Sequence, residues 1–173
     1  MDDDAVVAAQ IGRPLRSAAA VARRCHLGLP VVIVVPPLLD DGTPFPTRYW
    51  LCCPLALRRV GRLESAGGVT AMERRAAADP DFGLRLQVTN RRYAAERDAA
   101  LADGAGPRPS GGVGGARDGV KCLHAHYADH AAGHDNPVGG AVAPWVEPLD
   151  CPEPCVVEEA GRAVTNPRWR EPR

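Results

Sequence analysis

Proline and glycine punctuate this chain so closely that no helix or strand can run far before meeting one. The longest strongly apolar run, residues 29–39, is itself interrupted by Pro30, Pro36 and Pro37. Proline fixes φ and withholds an N–H, and glycine carries the most backbone entropy, so each tends to mark a turn or an element boundary. With 18 Gly and 17 Pro, the two types make up about a fifth of the 173 residues, above ordinary usage but short of the disordered regime. Short elements joined by long irregular connections follow. No segment approaches the roughly 20 apolar residues that span a bilayer.

The patterning predicts an α+β fold: a small antiparallel sheet of about three strands, packed with three or four helices and linked by long Gly/Pro-rich loops. Residues 3–10 read as a short helix with aspartates at its positive end. Residues 17–24 are ambiguous between helix and strand. Val31–Val35 is the clearest strand, a β-branched run stopped by Pro36-Pro37. Asp41-Gly42 marks a turn, and Arg48–Cys53 reads as a further strand. Pro54 opens a helix running to Gly67-Gly68. Thr70 and Glu73 form a capping box for the next one. Phe82–Asp103 is the longest helical stretch, with Leu84, Leu86, Val88, Tyr93 and Leu101 as its apolar contacts. After a glycine-rich loop over 104–119, Val120–Ala132 reads as the last helix. One domain over 1–145 is expected, followed by an irregular proline-rich tail over 146–173.

Charge narrows the partners. Lys plus Arg and Asp plus Glu both number 21, so nothing draws the chain at long range to nucleic acid or an anionic membrane. Arg23-Arg24 and Arg58-Arg59 are too short to change that. The start, Met1-Asp2-Asp3-Asp4, is acidic where a secretory signal is basic, which points to a cytoplasmic protein. In that reducing compartment the six cysteines read as core fillers, metal ligands or reactive thiols rather than disulfides.

One stretch concentrates metal-binding chemistry: Cys122-x-His124-x-His126-x-x-x-His130, with His134 just beyond. On a helix, Cys122, His126 and His130 share a stripe while His124 points away. Thiolate and imidazole together suit tetrahedral zinc. Cys25 and the Cys52-Cys53 pair, at the ends of strands, are available to complete the set, and strand alternation admits only one of that pair. Cys151-Pro152-Glu153-Pro154-Cys155 is a weaker second grouping, as likely a plain loop as a clip. The competing interpretation is that these thiols are small buried hydrophobes. The Gly111–Gly115 run lacks the lysine and hydroxyl spacing of a phosphate loop, although an anion near Arg117 and Lys121 at the following helix start stays open. A Cys122–His126 nucleophile pair ranks below a metal site.

The ordered motifs Arg24-Cys25, Gly28-x-Pro30, Asp41-Gly42-Thr43-Pro44-Phe45-Pro46-Thr47, Tyr49-Trp50-Leu51-Cys52-Cys53-Pro54, Arg62-Leu63-Glu64, Val120-Lys121-Cys122-Leu123-His124 and Asn136-Pro137-x-Gly139 resemble domain-of-unknown-function family 501. The family is found mainly in actinobacteria, and the likeness runs from about residue 5 to 140. It implies that Cys25, Cys53, Cys122 and His124 occupy family motif positions, the Cys53 position being one where relatives carry His. It favours His124 as a ligand where helix geometry favours His126. It also implies genes that neighbour a septum-forming division protein and an exopolyphosphatase, and hence a protein partner in cell-envelope growth or division.

Two functional expectations result. The first is a non-enzymatic zinc-type module with ligands drawn from Cys25, Cys53, Cys122, His124 and His126. The second is an enzyme, a metal-dependent hydrolase or an iron–sulfur redox protein acting on a small anionic substrate. Asp40, Asp41 or Glu64 would be its general bases.

Overall fold

A computed structural model describes residues 1–102 and 107–172. The β-branched run forms β2 (Pro30–Val34), the middle strand of an antiparallel sheet ordered β1 (Ala20–Arg24), β2, β3 (Tyr49–Leu51). Its register pairs Val32 with Leu51 and Ile33 with Trp50. Val31, Val32 and Ile33 are all buried, which explains why this strand reads as continuous rather than alternating. Val32 and Leu51 face the main helical core. Ile33 and Trp50 face a smaller cluster with Val7, Val35 and Leu39. β1 alternates exposed and half-buried residues, and its register with β2 slips on either side of Arg23. Of the ambiguous residues 17–24, the last five are thereby strand and the first three lie outside any helix or strand.

Six α-helices lie among the described residues, more than the three or four expected. α1 (Asp3–Ile11) is capped by Asp2, which accepts from the Ala5 amide, and it stops at Gly12 in the left-handed region. α2 (Pro54–Ser65) begins on proline and buries Leu55, Ala56 and Val60. α3 (Gly68–Ala78) starts earlier than the capping box implies, and Thr70 lies inside it. At this start the packing is tight: a Cβ at Gly68 would stand 2.7 Å from the Leu63 carbonyl oxygen and 2.8 Å from a Leu123 methyl. Bare backbone is what lets α3 turn back onto α2 and the later helices.

α4 (Pro80–Asp98) takes Asp79 as its cap, with both Asp81 and Phe82 amides donating to it. It buries Phe82, Leu86, Thr89, Tyr93 and Arg97 and leaves Leu84 and Val88 exposed, contrary to the apolar contacts read from sequence. It ends before the expected stop, and Asp103 and Gly104 lie outside the described residues. A 3₁₀ turn (Val113–Gly115) precedes α5 (Leu123–Ala131), and α6 (Pro137–Val146) follows. Sequence reading missed α6 because of its prolines. Pro137 occupies the first turn, where no N–H is needed, and Asn136 caps the Gly139 amide. Gly139 leaves no room for a side chain against α5.

The stretch beyond 146 is not irregular throughout. β4 (Val156–Glu159) and β5 (Arg162–Thr165) form an antiparallel hairpin, turned by Ala160 and Gly161, both at positive φ. It is held by burial of Cys155, Val156 and Trp169 in the main core, by the Arg58 guanidinium 4.8 Å from the Trp169 ring centroid, and by Thr165 donating to the Ala9 carbonyl. Two apolar anchors separated by a charged hairpin make a weak periodic signal, which is why it reads as loop. No helix among the described residues is long and apolar enough to cross a membrane.

Candidate functional site

The residues singled out from sequence divide between two places. Cys122 is the N-cap of α5, in extended backbone, and its sulfur accepts from the Ala125 amide at 3.4 Å. It therefore does not share a helical stripe with His126 and His130. Burial raises its pKa, and the neighbouring Glu64 adds to the rise. Glu64, at the end of α2, accepts from the Leu123 and His124 amides through Oε1 and meets His124 Nδ1 at 3.1 Å through Oε2. His124 Nε2 faces the Leu57 carbonyl at 3.3 Å. Both ring nitrogens thus face oxygen atoms of the protein. The Glu64 carboxylate also fills the α5 N-terminus, the place where the sequence left an anion open.

His126 is fully buried. Its Nδ1 lies 3.1 Å from Asn136 Oδ1, which also accepts from the Gly139 amide. Nδ1 must then carry the proton, leaving Nε2 bare, and Nε2 has no partner among the described residues. Burial pulls the imidazole down to about 4, against the Asn136 hydrogen bond. Asn136 Nδ2 donates to Asp129 Oδ2, which Arg92 also reaches. Sequence reading did not find this buried chain, although Asn136-Pro137 was its visible end. Nearby, Tyr49 donates to Glu96 and meets His134 Nε2 at 2.8 Å.

Cys25 and Cys53 sit elsewhere, in company that sequence ranked lower. The backbone of Leu29–Val31 is the common support. The Cys25 amide donates to the Leu29 carbonyl at 2.9 Å and the Cys53 amide to the Val31 carbonyl at 3.4 Å. Between them, Gln10 Nε2 donates to the Pro30 carbonyl at 2.9 Å and to Cys155 Sγ at 3.5 Å. Cys151 joins from the same loop as Cys155. Its carbonyl meets His26 Nε2 at 3.1 Å, and its sulfur accepts from Trp169 Nε1 at 3.4 Å. The thiols act on one another: burial first, then the Cys155 and Cys151 thiols, push Cys53 up to about 12, with the Ala56 and Leu55 amides opposing. Burial, Cys25 and Cys151 raise Cys155, while the Gln10 hydrogen bond opposes. Cys25 lines a cleft of about 360 Å³ with His26 and residues 147–150. Cys53 and Cys155 are buried, and Cys25 and Cys151 are half-buried.

As placed, no three Cys, His, Asp or Glu side chains among the described residues are arranged to hold a metal ion. All six cysteines are free thiols. Of the bases considered for an enzyme, Glu64 is engaged as described. Asp41 is held to about 2 by its hydrogen bonds to Thr43 and by Arg16 at 2.7 Å.

Comparison with known proteins places this arrangement in a family. Residues 21–144 match the family described as protein of unknown function (DUF501). No curated protein and no solved structure matches the chain. The match takes in β1 to most of α6, including Cys25, Cys53 and the Cys122–His124 cap, and leaves Cys151 and Cys155 beyond its end. Since it spans well over half of the residues, the chain belongs to the DUF501 family.

Proposed function

We propose that the chain is a metal-stabilised structural module whose ligands are Cys25, Cys53, Cys151 and Cys155. The observation that carries the reading is that the Cys25 and Cys53 amides bond the Leu29 and Val31 carbonyls while Gln10 bridges the intervening Pro30 carbonyl to Cys155, with Cys151 close enough to raise Cys53 and Cys155. Four thiolates suit zinc in a closed tetrahedral site. Two N–H groups, from Gln10 and Trp169, already point at ligand sulfurs, as outer partners do where thiolate charge must be balanced. Zinc would be held by these cysteines as thiolates, so its affinity would rise with pH. Cys122, His124 and His126 are structural in this reading.

The test is zinc content of tag-free protein purified under reducing conditions, with Trp169 fluorescence followed during zinc titration of apoprotein. About one equivalent is expected, lost in C25S, C53S, C151S and C155S and kept in C122S. Apoprotein that takes up no zinc while remaining folded would overturn the reading. The iron–sulfur alternative would announce itself by visible absorbance dependent on the same four thiols.

A further inference from the structure

Away from the thiols, a cleft of about 480 Å³ lies between α3, α4 and the loop entering α5. Gly83, Gln87, Asn90, Arg91, Arg117 and Asp118 are among its lining residues. Its two arginines differ from their neighbours. Arg85, Arg92 and Arg97 on the same helix each meet a carboxylate, and Arg75 of α3 lies 4.3 Å from the Phe82 ring centroid. Arg91 and Arg117 are exposed and have no carboxylate, carbonyl or ring partner among the described residues. An unpaired guanidinium offers five N–H donors in a planar fork matched to a carboxylate or phosphate.

The backbone segments that carry the two arginines are joined by other side chains. Asn90 accepts from the Val113 amide at 2.9 Å and donates to the Gly119 carbonyl at 3.4 Å. Arg97 donates to the Gly111 carbonyl at 2.6 Å. The loop that carries Arg117 is thereby tied to the helix that carries Arg91, so the backbone positions that bear the two guanidiniums are held together. At the floor, a Cβ on Gly83 would stand 2.6 Å from the Ala76 carbonyl oxygen, so α3 and α4 meet there through bare backbone. Ala76 and Leu86 supply apolar wall. Asp118 lines the cleft, and Glu73 lies against Gly119, where a Cβ would come 3.1 Å from its carboxylate. These two carboxylates disfavour a long polyanion and leave room for one compact oxyanion between the guanidiniums.

We propose that this cleft binds a small organic molecule through its oxyanion, a phosphate monoester or a carboxylate, gripped by Arg91 and Arg117 with its carbon body against Ala76 and Leu86. The experiment is isothermal titration of the full chain with adenosine monophosphate, citrate and inorganic phosphate, repeated on R91Q, R117Q and, as a control on the outer face of α3, R74Q. Saturable one-to-one binding is expected for the monophosphate or for citrate, and which of the two binds identifies the oxyanion. Affinity should fall about tenfold or more in R91Q and in R117Q, stay unchanged in R74Q, and circular dichroism should be the same for all. Absence of saturable binding to all three probes at millimolar concentration, or affinity in R91Q and R117Q equal to that of the parent chain, would overturn the proposal.

Discussion

Glu64 joins α2 to the start of α5 through a single carboxylate, capping two amides and orienting His124. Losing such a cap costs about 1 kcal/mol, so Glu64→Ala should lower the urea midpoint while Glu64→Gln, which keeps an acceptor, recovers part of it. Equal midpoints for Glu64→Ala and the parent would show the cap to be idle. His126 is the second decisive residue. Its pKa falls from 6.5 in the unfolded chain to about 4 in the fold, so between those values only the unfolded state takes the proton. Stability is therefore complete above pH 6.5 and falls as pH drops toward 4, by on the order of 3 kcal/mol. Burial raises the Asp129 carboxyl, which contributes with the opposite sign, so comparison with His126→Gln isolates the imidazole. A parent protein whose stability stays level from pH 7 to 5 alongside that variant would contradict a neutral buried ring. The sequence named Cys122, His124 and Glu64 as important, because their motif spacing is visible. It did not reveal that they cap a helix, since that role depends on where α2 ends in space.

Elements were legible where local chemistry agrees with tertiary demand. β2 announces itself through Val31–Val35, and α2 through Pro54 and its apolar spacing, because burial and propensity point the same way. α6 and the β4–β5 hairpin escaped because proline content and charge argue locally against them, while Asn136, Gly139, Val156 and Trp169 are satisfied only by contacts far along the chain. Those contacts make the hairpin an integral element. Trp169→Ala should cost about 3 kcal/mol by cavity formation, measured as a shift in chemical denaturation with slope unchanged. A loss of only a few tenths would mean the hairpin rests loosely on the core. The same distance effect hid the thiol group: Cys151 and Cys155 have two prolines between them and no histidine nearby in sequence, and only the fold sets them beside Cys25 and Cys53.

At the scale of the whole molecule, residues near both ends of the chain close the structure around the sheet. Gln10 reaches the Pro30 carbonyl and Cys155, Thr165 reaches Ala9, and Arg62 pairs with Glu171. If the four thiols hold zinc, chelation should loosen both terminal regions together, seen as faster hydrogen exchange in α1 and in β4–β5 before the helical core. Chelator treatment that leaves exchange in both regions unchanged would count against a structural metal. The sheet itself leaves β1 at an edge, and an edge strand is an invitation to another chain. Here the invitation is withdrawn: the register slips on either side of Arg23, and Arg23 and Arg24 set charge where a new strand would have to align. The slipped register of β1 disfavours the pairing of this edge with a further strand.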